Sequence, residues 1–456
     1  MTFKSLRVPT LGLVSVAAMV AAAGPAVADV VFDTPIALVP VPASPVVNPS
    51  GNFSAFDISF ADPVLGDIFI ADRSNAGVDV FSGSGLSLIS RPAGFAGVQP
   101  PPPAAANNSI SGPDGVLTVT SVTSTGTLTT LYAGDGNSTL KVFQFTNPAN
   151  PGGVAAVIST GGTTRVDEMA FSPLTGQVLA ANNAETPAFG NLFSTTGGGH
   201  LPVTLTTTPG VGIQVPANQG GIAAGGMEQP AWNPLTTGGP SFWVSIPQLG
   251  IGGATDPGGI SQISPNGTVL QTKAFANLPP GSISSGGCSP TGLAVAGNGN
   301  MLVGCGNAAT QAVLLDKDGN FIKSVGLGSL GGTDQLWYDP KTDKFYVTGG
   351  PGGSTPGTRF FDVVDANGNI VQPPVILPTT SSAHSITVDP FNGDVFVALA
   401  GTNPNGTNTA CPLGCVAVFS QSTPVPGPVV GAGLPGVILA AGGLLALARR
   451  RRQRTV

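Results

Sequence analysis

The feature that most constrains this chain is a short motif that keeps returning. It is an apolar run, then Asp, Asn or Ser followed by Pro, then a tight turn and a second apolar run. One copy reads Phe56-Asp57-Ile58-Ser59-Phe60-Ala61-Asp62-Pro63, turns at Gly66-Asp67 and continues from Ile68 to Ala71. Others run from Asp167 to Ala181, Glu228 to Ser245, Asp334 to Thr348 and His384 to Ala398. Thr291 to Gly304 is a shorter copy that turns through Gly297-Asn298-Gly299-Asn300. Short apolar runs bounded by turn residues read as strands, and Pro, which has no N–H for a sheet ladder, fits at the turn.

A third strand follows each copy. Ile260 to Ile263 precedes Asn266-Gly267, Ala312 to Leu315 precedes Asp318-Gly319, and Phe360 to Val364 precedes Asn367-Gly368. These dipeptides supply the positive φ that two-residue hairpins need. Val78 to Phe81, Leu140 to Phe143, Asn191 to Phe193 and Val416 to Phe419 complete the set. The copy over Gly112 to Leu131 lacks the Pro turn. Seven such units predict an all-β fold, a seven-bladed β-propeller occupying 29–422 as one domain. A β-helix or tandem β-sandwiches would also use short strands. Neither explains two strands around a Pro turn with a third behind. The last third strand ends at Phe419, so Val30 to Leu38 is expected to complete the seventh blade and remove an open edge. The stretches 82–112, 182–226 and 400–414 read as inserts on one face. Charged residues are only 9% of the chain, with 66 Gly and 43 Pro. That composition alone would suit disorder, but the regular apolar bursts favour a turn-dense sheet fold.

Both ends of the chain look like targeting segments. Residues 1–28 have a basic start at Lys4 and Arg7, an apolar stretch from Leu11 to Ala23 and a small-residue site, Ala26-Val27-Ala28. This is the layout of a cleaved signal peptide; the apolar stretch is shorter than a bilayer span. Residues 423–456 hold Val425-Pro426-Gly427-Pro428, an uncharged run from Val429 to Ala448, and then Arg449, Arg450, Arg451, Arg452 and Arg454. At about 1.5 Å per residue the run matches a bilayer core as a transmembrane helix, and the arginines mark its cytoplasmic end.

The tail resembles the PEP-CTERM class of bacterial sorting signals, with Gly427 standing where that family has glutamate. The resemblance implies an exosortase-type processing enzyme as partner, and export followed by tethering at the envelope or release. A plain C-terminal membrane anchor is the alternative. Residues 29–422 resemble the NHL and gluconolactonase-like β-propellers through generic motifs, which speak to the superfold and not to an activity.

Seven of the 17 basic residues lie in the two ends, while all 23 acidic residues lie between them. The exported part is therefore strongly acidic, which argues against nucleic acid as a partner and is compatible with cation binding. Four cysteines remain, and an exported chain with an even count predicts disulfides. Three pairings are possible. The local one is favoured: Cys288 with Cys305 across a predicted hairpin, and Cys411 with Cys415 around a small loop. A zinc site would need paired CxxC spacing or usable histidines.

Aligning the copies on the Pro turn exposes one informative column: Asp167, Glu228, Asp334 and His384, with Thr291 in the short copy and Asp57 if one residue is inserted. The first strand of a blade lines the central channel, so the column predicts acids and a histidine at one mouth. Ca²⁺ or another divalent cation is the ligand such oxygens suit. With a metal bound, His384 or a spare carboxylate could act as a base in hydrolysis. A wet channel filled by structural polar groups is the alternative, and a lone histidine is commonly structural. His200 is read as a loop residue, and Trp232, Trp243 and Trp337 as packing between blades. There is no G-x-S-x-G elbow, no Walker loop, no G-x-G-x-x-G following a strand into a helix, and no H-E-x-x-H. Two functions follow: a non-enzymatic surface propeller binding an envelope protein or polysaccharide, or a metal-dependent hydrolase or lactonase.

Overall fold

The computed structural model describes residues 31–421 apart from 102–104, 125, 187, 197–199, 206–212, 215–225, 250–255, 284–286, 308–310, 328–331, 350–356 and 404–405. The predicted signal peptide and the predicted tail, including Val425 to Pro428 and the arginine cluster, lie outside these residues. Among the described residues no helix is long and apolar enough to cross a membrane.

Seven antiparallel sheets follow one another along the chain as the blades of a β-propeller. Their innermost strands are Ser59–Ala61, Val116–Thr123, Met169–Ser172, Pro230–Asn233, Pro290–Val295, Leu336–Asp339 and Ile386–Val388, in blades 1 to 7. The recurring Asp, Asn or Ser before Pro is spent on the turn itself. Asp62 Oδ1 accepts from the N–H groups of Val64 and Leu65 at 2.8 Å, Asn233 Oδ1 from Leu235 at 3.0 Å, Asp339 Oδ1 from Lys341 at 3.0 Å and Asp389 Oδ1 from Phe391 at 2.8 Å. Such side-chain caps satisfy N–H groups that the hairpin leaves unpaired. Blade 2 manages without the Pro: its first hairpin is longer, Val116–Thr123 against Gly126–Asp135, and Gly126 takes a positive φ at the turn.

The ring closes as expected, with a different register of residues. Ala37–Pro40 pairs with Cys415–Phe419, from Ala37 opposite Val418 to Pro40 opposite Cys415. The expected strand began at Val30, but Phe32 instead belongs to blade 6. Its backbone N–H donates to Gln372 Oε1 at 2.9 Å, and its ring packs against Tyr346 and Phe361. Pro35 separates the two pieces.

Strands fall within two of the stretches read as inserts: the fourth of blade 1, and the third and fourth of blade 3. Ser87–Ser90 lies in the first, and Phe189–Thr196 with His200–Leu205 in the second, so His200 begins a strand instead of sitting in a loop. Outer strands such as Ser87–Ser90 are partly exposed and lack a strong apolar pattern, which hides them in the sequence. The third stretch is a loop between the second and third strands of blade 7.

Apolar faces of neighbouring blades pack together. Phe69, Val78 and Val80 of blade 1 meet Leu131, Ala133 and Phe143 of blade 2. Trp243 is fully buried among Met301, Val303 and Val313. Fully burying side chains of this size stabilises by about 2–3 kcal/mol each. Both local disulfides form, Cys288–Cys305 and Cys411–Cys415.

Candidate functional site at the axial mouth

Six side chains share one structural position. Asp57, Asp114, Asp167, Glu228, Asp334 and His384 each stand two residues ahead of their blade's innermost strand. Every blade brings its innermost strand to the axis in the same phase, so the column converges at one end of the channel. Asp57, Asp167, Glu228, Asp334 and His384 line a single cavity of about 300 Å³, together with Arg165, Glu168 and Thr291.

The four column residues predicted as a site are gathered in that cavity but do not form one cluster. They divide between two triads. In one, Asp334 and His384 join Asp57; in the other, Asp167 and Glu228 join Glu168, which the column did not predict. Within each triad one potential ligand atom per residue lies within 4.8 Å of the others.

The two triads differ in how their charge is met. Arg73 Nε donates to Asp114 Oδ1 at 2.6 Å, and its guanidinium also pairs with Asp57. His384 Nδ1 lies 2.6 Å from Ser382 Oγ, its Nε2 lies 3.7 Å from Asp57 Oδ1, and its ring stacks on Phe56. On the other side, Arg165 Nη2 pairs with Asp167 Oδ2 at 2.8 Å, and Asn183 Nδ2 donates to Glu228 Oε1 at 2.8 Å. Asp167 Oδ1 and Glu168 Oε2 are buried without a hydrogen-bond partner among the described residues. Asp167 and Glu168 are only 2% and 3% exposed. Unpaired buried carboxylate oxygens are costly and need a compensating group.

This imbalance appears in the proton affinities. Removal from bulk water, then the charges of Asp167 and Asp334, push Glu228 up to about 8. Burial and the charges of Asp167, Glu228 and Asp334 raise Glu168 well above the usual carboxylate range. Asp334 is also raised, mainly by desolvation, with His384 opposing. Burial pushes Asp114 up to about 7 against the pull of Arg73 and Arg165. Desolvation lowers His384 and keeps its imidazole neutral near pH 7. Glu228, Asp334 and His384 retain some surface open to the cavity.

Glu168 carries a second signal. It is one residue past the column, where blades 4 and 6 have Gln229 and Gln335. Each glutamine is a clamp between blades. Gln229 Oε1 accepts from Leu293 N and Leu336 N, both at 3.0 Å, and its Nε2 donates to Leu336 O at 2.9 Å. Gln335 Oε1 accepts from Ser59 N at 3.0 Å and Ile386 N at 3.3 Å. Blade 3 places an acid in this position. The strand position of blade 4 that would offer an N–H is Pro230, which has none. Glu168 is thus left with an unpaired oxygen where its two counterparts are satisfied.

No protein-family model matches the chain, and none of the curated proteins is recognisably similar to it.

Proposed function

We propose that this protein is an exported β-propeller that works by binding, with a divalent cation such as Ca²⁺ held by Asp167, Glu168 and Glu228 at its axial mouth. The observation that carries the reading is the triad of carboxylate oxygens within 4.8 Å of one another, two of its residues having buried oxygens with no partner. Oxygens bound to one Ca²⁺ at about 2.3–2.6 Å stand up to about 5.2 Å apart, so the spacing fits a shared ion. All-oxygen donors suit a hard cation, and its charge would offset the surplus of acids. The signal-peptide layout of 1–28 and the sorting-signal layout of 423–456 support delivery outside the cytoplasm, with an exosortase-type enzyme and the bacterial membrane as partners of the tail. An envelope polysaccharide or protein is the ligand class such a location offers. Metal analysis and calorimetric titration of residues 29–422 with Ca²⁺ test the site. Saturable binding that Glu228→Gln weakens at least about tenfold is expected; no binding at millimolar Ca²⁺ overturns the reading.

The second reading, a metal-dependent hydrolase or lactonase, rests on His384. Its neutral imidazole faces the same cavity as the carboxylate triad, with Nδ1 held by Ser382 and Nε2 near Asp57. A bound cation would polarise a carbonyl. His384 would take a proton from water at Nε2, and Asp57 and Asp334 would steady the resulting imidazolium. Lactone and ester hydrolysis measured before and after chelation, with His384→Gln beside it, decides between binding and catalysis. Absence of turnover leaves binding alone.

A further inference from the structure

A second cavity, of about 330 Å³, lies further along the axis, beside the innermost strands and towards their Pro turns. Its walls include Phe60, Phe171, Trp232, Trp337 and Tyr338. Unlike the fully buried Trp243, these rings keep part of their surface open. Trp232 and Trp337 also pack against blade cores, so the packing role expected for them holds but is not their whole environment. Among the described residues, Glu168 is the one side chain that lines both cavities.

The side-chain acceptors around this second cavity are nearly all spent. The amide oxygens of Gln229 and Gln335 accept backbone N–H groups from neighbouring blades. Thr118 Oγ1 donates to Asp62 Oδ2 at 2.6 Å. Tyr338 accepts from Gly297 N at 2.8 Å and donates to Asp343 Oδ1 at 2.6 Å. Among the side-chain acceptors described there, Glu168 Oε2 is left, buried and without a partner. Among the described residues, no basic side chain lines the cavity.

We propose that, when no metal ion occupies the carboxylate triad, this cavity is a binding site for a small organic cation, an amine with an aromatic or aliphatic body whose ammonium group donates to Glu168. The aromatic walls suit both parts of such a ligand. They cover an apolar body and attract a cation through their ring faces. A carbohydrate fits poorly, because its hydroxyls would find few unspent acceptors. The volume is at the lower end for small-molecule sites, which matches a one-ring amine.

The test titrates residues 29–422 with 2-phenylethylamine and with its neutral counterpart 2-phenylethanol, by calorimetry and by indole fluorescence. Residues 29–422 are suitable because all seven sheets, including the closing pair, lie within them. A chelator is present throughout, so failure of the calcium reading and failure of this one are told apart. The amine is expected to bind at least about tenfold tighter than the alcohol. Glu168→Gln should abolish that preference while leaving alcohol binding intact, and Trp337→Leu should weaken both ligands. A thermal melt checks that the Glu168→Gln variant folds. Equal affinity for amine and alcohol, a preference that survives Glu168→Gln, or no saturation by either ligand at about 10 mM overturns the proposal.

Discussion

Gln229 Oε1 accepts from Leu336 N at 3.0 Å although the two residues belong to blades 4 and 6. The same oxygen accepts from Leu293 N of blade 5, so one side chain fastens three blades at the axis. Gln229→Ala removes three hydrogen bonds and strands two backbone N–H groups. At about 1 kcal/mol per net bond, with a further cost for unpaired groups, the loss should be about 3–4 kcal/mol. Urea unfolding at fixed pH measures it; a loss under about 1 kcal/mol would mean that water replaces the clamp. Glu168→Gln should instead be neutral or stabilising without metal, because it removes a buried acid with an unpaired oxygen.

Blades 2 and 5 have glycine in the clamp position, Gly115 and Gly292, because the neighbouring blade comes too close for a side chain. A Cβ on Gly115 would stand 1.8 Å from Asp167 O, and one on Gly292 2.1 Å from Asp334 O. Both obstacles are backbone carbonyls that belong to the site. Either alanine variant must push a blade outwards, at a cost of about 1–3 kcal/mol or more. Gly292→Ala should also weaken Ca²⁺ binding less than Gly115→Ala, since only Gly115 abuts a residue of the carboxylate triad. Thermal melts together with calcium titrations of the two variants check both statements.

Much of this was legible in the chain, for a physical reason. The Asx-Pro turn fixes the phase of each innermost strand, so counting back from it finds the residues that meet at the axis. Asp114 escaped because blade 2 makes its hairpin without Pro and offers nothing to count from. Glu168 escaped because it sits one place off the column, and its significance depends on Gln229, Gln335 and Pro230 in other blades. The grouping into two triads was equally hidden: the order of blades around a ring gives neighbours, not distances. Arg73 illustrates the same limit, since its pairing with Asp57 and Asp114 joins two neighbouring blades.

The two disulfides should differ in weight. Cys288–Cys305 spans 17 residues, and Cys411–Cys415 spans 4. Closing the longer loop constrains the unfolded chain more, by about 3 kcal/mol in the chain-entropy model. Cys288 and Cys305 are also fully buried, whereas Cys411 is only partly so. Replacing Cys288 and Cys305 together by Ala should therefore lower stability by about 3 kcal/mol, and replacing Cys411 and Cys415 by clearly less. Urea unfolding of both double variants compares them, and equal losses would argue against the loop-length account.

Stability should fall as pH rises, against the habit of most proteins. Glu228 is raised in the folded state from 4.5 to about 8, and Asp114 and Asp362 from 3.8 to about 7. A carboxyl group whose folded value lies above its unfolded one binds a proton more tightly when folded. Its contribution is full below the unfolded value and is lost as pH climbs to the folded value. His384 runs the other way, since its lowered value costs stability as pH falls below about 6.5. The carboxylates outnumber it, so in chelator the melting temperature should drop between about pH 5 and pH 8. Calcium should reverse the drop, because the ion replaces the protons that Glu168 and Glu228 give up, and its binding near pH 7 should release protons into a weakly buffered solution. Glu228→Gln should flatten the pH profile and remove part of the calcium effect. A melting temperature that rises steadily from pH 5 to pH 8 in chelator would show that these carboxyls are ionised and balanced within the protein, and the cation would then have no deficit to fill.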